Sequence, residues 1–210
     1  MEIAENIVEK VIKIVRHCES VFWDRWMNVQ TSHSNTAISR AEGMLGDSFE
    51  FQTNAHYTIR KAIKIVGPSQ DDTIVVIGCG KGRALSHFAR LRVNGVIGIE
   101  ISPELSAIAE GNMRRLRGKK APTRIINTDA VLADFSEGSV FYMFNPFGEK
   151  TLHSVLKKLE LSHKKSRKKL TIIYVNPKFS SVFDYFPWLE KTHDTTSFAG
   201  LRTVIYKANY

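Results

Sequence analysis

The sequence predicts an α/β protein organised on a doubly wound, mostly parallel sheet, with a helical N-terminal extension. Three observations predict it. Short apolar runs at 74–78, 96–101, 140–144 and 170–175 alternate with stretches of helical periodicity, which is the pattern of successive βαβ units. The first run ends in glycines at alternate positions, Gly78, Gly80 and Gly82, and passes directly into a helical stretch. The later runs end in polar residues, Glu100, Asn145-Pro146 and Asn176-Pro177, where an open parallel sheet places its ligand.

At 210 residues the chain has room for one full-sized domain. Its 43% hydrophobic and 24% charged residues are those of an ordinary globular protein. No uncharged apolar stretch approaches the roughly 20 residues that span a bilayer. Glu2, Glu5 and Glu9 stand where a secretory signal would be basic. Cys18 and Cys79 are the only cysteines, so a disulfide framework is not expected and a cytoplasmic location is. The division expected is a helical extension with its connecting loop over 1–50 and a cofactor-binding domain over 51–210.

In chain order, Ile3, Ile7, Val11, Ile14 and Val15 give the rhythm of an amphipathic helix. It continues towards Met27 through Phe22, Trp23 and Trp26, aromatics expected in the core. Residues 28–47 are polar and form a long connection. Helical periodicity returns at Tyr57, Ile59, Ala62, Ile63 and Val66, with Asn54 as the expected N-cap and Gly67-Pro68 as the stop. The first strand and glycine turn follow, then a helix over 84–91.

The second strand, VIGIEI, leads into Ser102-Pro103-Glu104, a helix start with proline at its first position. That helix runs to about Arg117 and stops at Gly118. TRIINT is a third, weaker strand and VFYMF a fourth. A helix over 149–161 precedes LTIIYV, the fifth. Residues 180–189 read as a short helix broken at Pro187, and LRTVIYKA as a C-terminal strand.

The strand ends carry the chemistry. A glycine turn opening a helix offers backbone N–H groups and a positive helix end to one point. An acid about 20 residues further on, here Glu100, suits the two ribose hydroxyls of an adenosine cofactor. So far a nicotinamide dinucleotide fits as well. The dinucleotide fingerprint, however, needs a small residue three positions after Gly80. Arg83 stands there, so GxGxG holds and GxGxxG fails. Asp129 after the third strand is placed to accept from an adenine amino group.

Taken together, GCGKGR, IGIEISPEL, NTDA and FNPFGE resemble the four motifs of class I S-adenosylmethionine-dependent methyltransferases, over about 51–177. The likeness is greatest to a group with NPFG at strand four and Tyr-x-Asn-Pro at strand five. It implies a seven-stranded Rossmann-like sheet whose last strand is antiparallel, LRTVIYKA being the candidate, and S-adenosyl-L-methionine as cofactor. Gly78, Gly80 and Gly82 would pass beneath the methionine moiety, and Glu100 would hold the ribose. Asp129 and Ala130 would face the adenine. Arg83 or Lys81 would neutralise the methionine carboxylate.

Amino-group methyltransferases of this fold carry an Asn/Asp-Pro-Pro-aromatic turn that orients the target amine, so Asn145, Pro146 and Phe147 are the expected catalytic positions. One proline of that turn is missing here. Tyr57 and Asn176 are expected on the substrate side of the pocket. The acceptor implied is a nitrogen of a protein or small amine.

Other readings stay open on the sequence. Residues 157–169 hold seven Lys or Arg against one Glu within a net charge of +9. That segment could dock RNA, making the chain a nucleic-acid methyltransferase, or meet an acidic partner. A non-catalytic cofactor-binding protein and a nicotinamide oxidoreductase are the remaining alternatives. No metal spacing is present among the seven histidines, and Cys79 belongs to the turn and is not expected as a nucleophile.

Overall fold

A computed structural model describes residues 2–32, 54–166, 168–197 and 200–209. The elements run α1 (Glu2–Met27), α2 (His56–Val66), β1 (Thr73–Ile77), α3 (Arg83–Phe88), β2 (Gly95–Glu100), α4 (Pro103–Arg115), β3 (Thr123–Asn127), β4 (Val140–Phe144), α5 (Glu149–Ser166), β5 (Thr171–Val175), a 3-10 helix (Ser180–Tyr185), β6 (Leu189–Thr196) and β7 (Arg202–Ala208). Most of the long connection expected after α1 lies outside the described residues.

The seven strands form one sheet in the order β3-β2-β1-β4-β5-β7-β6. β1 pairs in parallel with β2 on one side and β4 on the other, Ile77 standing opposite Ile99 and Met143. The strand order therefore reverses between β1 and β4, which opens a crevice at their carboxyl ends. β7 is antiparallel to β5 and to β6, as the resemblance implied for the last strand.

Alternation along each strand sends side chains to two faces. Val75, Ile77, Phe141, Met143, Ile172 and Tyr174 join Leu152, Leu156 and Leu159 of α5 in one core. Ile74, Val76, Val140, Tyr142, Ile173 and Val175 join Ile59, Leu85, Phe88 and Met113 on the other face. All five residues of β1 are buried, so it reads as a continuous apolar run, as central parallel strands do.

The sequence missed β6. Its burial pattern is one inward residue followed by exposed ones, with an irregularity between Lys191 and His193. An edge strand with charged side chains has no apolar alternation to display. Two helix starts also differ. Asn54 does not cap α2: the position before the helix is Ala55, without a side-chain cap, and the Asn54 amide turns inward to the Tyr142 hydroxyl. α3 begins at Arg83 and ends at Phe88, while α5 extends past 161 to Ser166.

Of the α1 aromatics expected in the core, only Trp23 packs against it, half-buried. Phe22 is 61% and Trp26 41% exposed, with Arg90 covering the Trp26 ring at 3.9 Å. α1 instead buries Ser20, Asp24 and Met27, one face at helical spacing, against a largely polar contact with α2 and α3. Among the described residues no helix is long and apolar enough to cross a membrane.

Candidate active site

The glycine turn is shaped by contacts on three sides. Gly78, Gly80 and Gly82 have φ of 67, 53 and 87°, a left-handed path that glycine adopts without penalty. A Cβ on Gly78 would stand 2.7 Å from the Pro146 Cβ. The end of β1 and the turn after β4 thus meet with no room between them. In β2, a Cβ on Gly98 would come within 2.8 Å of Leu85 and 2.9 Å of the Cys79 sulfur. A glycine inside a strand is explained by that close approach.

Glu100 ends β2 almost wholly buried, at 7% exposure. Its Oε2 accepts from Gly80 N–H at 2.8 Å and its Oε1 from Ser102 N–H at 3.0 Å. Burial pushes its carboxyl up, and the N–H groups of Ser102, Gly80 and Ile101 oppose that rise. An acid is fixed over the glycine turn with its two oxygens accounted for by backbone donors. Asn127 at the end of β3 donates to the carbonyls of Glu100 and Ile101 at 2.8 and 2.9 Å, which locks the β2 and β3 ends together. Asp129 follows in a turn of its own, with Oδ1 accepting from Val131 N–H at 3.0 Å. Asp129 and Ala130 are both half-buried.

Cys79 lies inside the turn at 6% exposure. Burial, with the neighbouring Glu100 charge, pushes its thiol well up. A neutral, enclosed thiol is no nucleophile.

Two asparagines stand at the ends of β4 and β5, Asn145 with φ 39° and Asn176 with φ 52°. Asparagine is among the few non-glycine residues enriched in that conformation. Asn145 is buried, and its Oδ1 accepts from the Tyr174 hydroxyl at 3.0 Å. Tyr174 stacks on Phe183 with centroids 5.7 Å apart, and burial pushes its phenol up to about 12, so it remains a donor. Pro146 faces Gly78, while Phe147 packs in the α5-side core. Tyr174 belongs to the Tyr-x-Asn-Pro pattern, but nothing in that pattern names its partner.

Not every expected residue comes to this point. Arg83 is buried and directs its guanidinium into the N-terminal segment: Nε donates to Thr31 Oγ1 at 2.7 Å, Nη1 to the Asn54 carbonyl at 2.9 Å, and Nη2 to Ser20 Oγ at 2.6 Å and Ser32 Oγ at 3.3 Å. Lys81 is buried beside it, and burial pulls its ammonium down. The Lys81 carbonyl accepts from Asn112, whose side chain also bonds both backbone groups of Gln30. Tyr57 sits in the first turn of α2 with a half-exposed ring, and its N–H donates to Glu19 at 2.6 Å. Asn176 is half-buried, its N–H bonded to the Arg202 carbonyl at 2.9 Å.

Sequence reasoning did not anticipate a buried polar chain beneath α1. Asp24 accepts from Thr31 N–H, Thr31 Oγ1 and Ser32 Oγ at 2.5–2.7 Å. His56 Nε2 lies 3.5 Å from Asp24 Oδ1, and His56 Nδ1 lies 2.7 Å from His87 Nε2. Asp24, His56 and His87 lie far apart in the chain, so no local pattern could announce them.

Solved structures share this arrangement of strands and helices. An RNA methyltransferase from Salinibacter ruber, crystallised with S-adenosyl-L-homocysteine, superposes with a TM-score of 0.55 at 17% identity, over 75% of this chain and 94% of that one. A ribosomal protein L11 methylase from Lactobacillus delbrueckii subsp. bulgaricus gives 0.61 at 13% identity, over 88% and 92%. The fold is that of the class I methyltransferases.

In this chain Gly78 and Asn145 follow β1 and β4, one on each side of the crevice, and Glu100 ends the adjacent strand β2. A protein-lysine N-methyltransferase of Saccharolobus islandicus (strain REY15A) is 31% identical over 87 residues, 41% of this chain. The match spans 53% of that relative, about half its length. No protein-family model matches the chain. One of these neighbours is an RNA methyltransferase and the other a ribosomal protein methylase, so the fold by itself leaves the acceptor open.

Proposed function

We propose that the protein is an S-adenosylmethionine-dependent methyltransferase that modifies a nitrogen of a protein or small amine. The observation that carries the reading is the Glu100 carboxylate, fixed by Gly80 and Ser102 N–H over a turn too close-packed for any side chain at Gly78. A buried acid with ordered oxygens suits a pair of ribose hydroxyls, and the bare turn suits a polar moiety lying against backbone. Gly78, Gly80, Gly82, Glu100, Asp129 and Ala130 would hold the cofactor. When bound, it supplies a methyl group already activated on sulfonium.

The remaining work falls to the chain. Asn145 is the residue to orient an acceptor. A carbonyl oxygen has two lone pairs; Tyr174 uses one, and the second is left to accept from an amine N–H. Held at φ 39° and by the Tyr174 hydroxyl, the Asn145 amide needs no reorganisation on binding, the circumstance in which orientation and electrostatics contribute most. The 31% identity to a protein-lysine methyltransferase supports a nitrogen acceptor.

The basic segment over 157–169 is a separate matter. α5 starts beside the active-site turn at Glu149 and runs 18 residues to Ser166, a rise of about 27 Å. Its lysine-rich end therefore lies towards the amino ends of the strands, away from Asn145. It is suited to an acidic partner that docks away from the reacting centre, and less to placing an RNA base at it. Incubation of a fractionated lysate with methyl-tritiated cofactor tests the reading: label in protein, released as methylated lysine on hydrolysis, is the expected result, and label confined to RNA would replace it with the nucleic-acid reading.

A further inference from the structure

We infer that a cavity beside the turn after β4 is the entry subsite for the acceptor, and that it takes an alkylammonium chain. The inference rests on the methyltransferase reading and adds to it the chemical class of the group admitted. The cavity, about 480 Å³, is lined by Glu149, Lys150 and His153 of α5 and by Val182 and Tyr185 of the 3-10 helix. Those two elements are the segments that follow β4 and β5. The cavity thus belongs to the same end of the sheet as Asn145 and Asn176.

A run of contacts connects it to the proposed reacting centre. Asn145 accepts from Tyr174, Tyr174 stacks on Phe183, and Phe183 neighbours Val182 in the 3-10 helix whose next turn carries Tyr185. On the α5 side, Asn145 to Gly148 lead directly into Glu149.

The lining suits a cation on an apolar stem. Tyr185 is 71% exposed, an aromatic ring offered to solvent at the cavity mouth. His153 meets it edge-on at 6.4 Å and meets the buried Phe186 at 5.1 Å. Glu149 is exposed and has no ion-pair partner among the described residues. A tyrosine ring and an unpaired carboxylate lining one cavity attract an ammonium group and disfavour an anion, and Val182 gives methylene groups an apolar wall. Lys150 leaves the helix about 100° round from Glu149, and its long stem lets the charge stay in water. The volume falls within the usual range of ligand pockets, roughly 300–1,000 Å³, and leaves room for the backbone that bears the side chain.

The test uses the full chain saturated with S-adenosylhomocysteine and labelled at histidine, with butylammonium chloride as the probe. The His153 ring resonance, assigned by its disappearance in His153→Gln, shifts saturably, while that of exposed His193 on β6 stays still. Glu149→Gln and Tyr185→Ala each weaken the response roughly fivefold or more, without changing S-adenosylhomocysteine affinity by calorimetry. No shift at His153, or an equal shift with 1-butanol or sodium butyrate, overturns the cation assignment. Butylammonium binding in a protein that takes no S-adenosylhomocysteine overturns the cavity's role as an acceptor entry and, separately, the methyltransferase reading.

Discussion

The Cβ that Gly78 lacks would stand 2.7 Å from the Cβ of Pro146. That one approach joins the glycine turn after β1 to the Asn-Pro turn after β4. Gly78→Ala should therefore cost more than the left-handed backbone alone. Gly67 is the internal comparison, with φ 60° and nothing within 4 Å of its Cβ position. Gly67→Ala is expected to lose about 1 kcal/mol, the left-handed penalty, and Gly78→Ala about 1–3 kcal/mol beyond that. Urea unfolding of both variants measures the difference; equal losses would mean that Pro146 gives way freely.

Glu100 and Asp129 are expected to hold different parts of the cofactor. Glu100→Gln and Asp129→Ala should each weaken S-adenosylhomocysteine binding by roughly 1–3 kcal/mol, as loss of a charge-assisted hydrogen bond does. Isothermal calorimetry reads both. An unaltered affinity in Glu100→Gln would leave its carboxylate as a brace for Gly80 and Ser102 only.

The Tyr174–Asn145 hydrogen bond predicts a split between binding and turnover. Tyr174→Phe removes one donor and should slow methyl transfer by about fivefold, near 1 kcal/mol. Asn145→Ala should slow it far more, with cofactor affinity little changed in either variant. Equal loss of affinity and rate would make Asn145 a structural residue that ends its strand.

Arg83 makes its hydrogen bonds to Ser20, Thr31, Ser32 and Asn54. Arg83→Ala is expected to raise hydrogen exchange throughout the second half of α1 while the β1 and β4 amides stay protected. If S-adenosylhomocysteine affinity falls and α1 exchange does not change, Arg83 serves the cofactor's carboxylate and not the N-terminal segment.

Acid should loosen the same region. Burial lowers the His56 imidazole from its ordinary 6.5, with Arg83 acting in the same direction and the Asp24 hydrogen bond opposing. Burial, then His56, Arg60, Arg90 and Arg83, takes His87 well below 6.5. Both histidines are neutral when folded and gain protons more readily when unfolded. The stability linked to them is present above about pH 6.5 and falls as pH drops below it. Burial would raise the Asp24 carboxyl, but hydrogen bonds from His56, Ser32 and Thr31 hold it below the carboxylate range, so its contribution is lost only under stronger acid. Melting temperature between pH 7.5 and 5 should decline, and His56→Gln with His87→Gln should flatten that decline; a flat wild-type profile would contradict it.

Much of the fold was legible because its central strands are buried on both faces. β1, β4 and β5 display uninterrupted apolar runs, and the glycine turn, Glu100 and the two Asn-Pro ends follow them at fixed places. β6 was illegible because an edge strand with charged side chains has no such run. The site divides in the same way. Residues at strand ends could be named from their position in the chain. Arg83 could not be assigned, since its partners Ser20, Thr31 and Asn54 are brought to it only by the docking of α1 and α2. Tyr174 likewise gains its meaning from a neighbouring strand.

The crevice between β1 and β4 is proposed to hold a sulfonium nucleoside and not a dinucleotide. Calorimetric titration of the full chain with S-adenosylhomocysteine and, separately, with NAD distinguishes the two. One molecule of S-adenosylhomocysteine bound per chain, more weakly in Glu100→Ala, with no heat from NAD, is the expected result; binding of NAD without S-adenosylhomocysteine would overturn it.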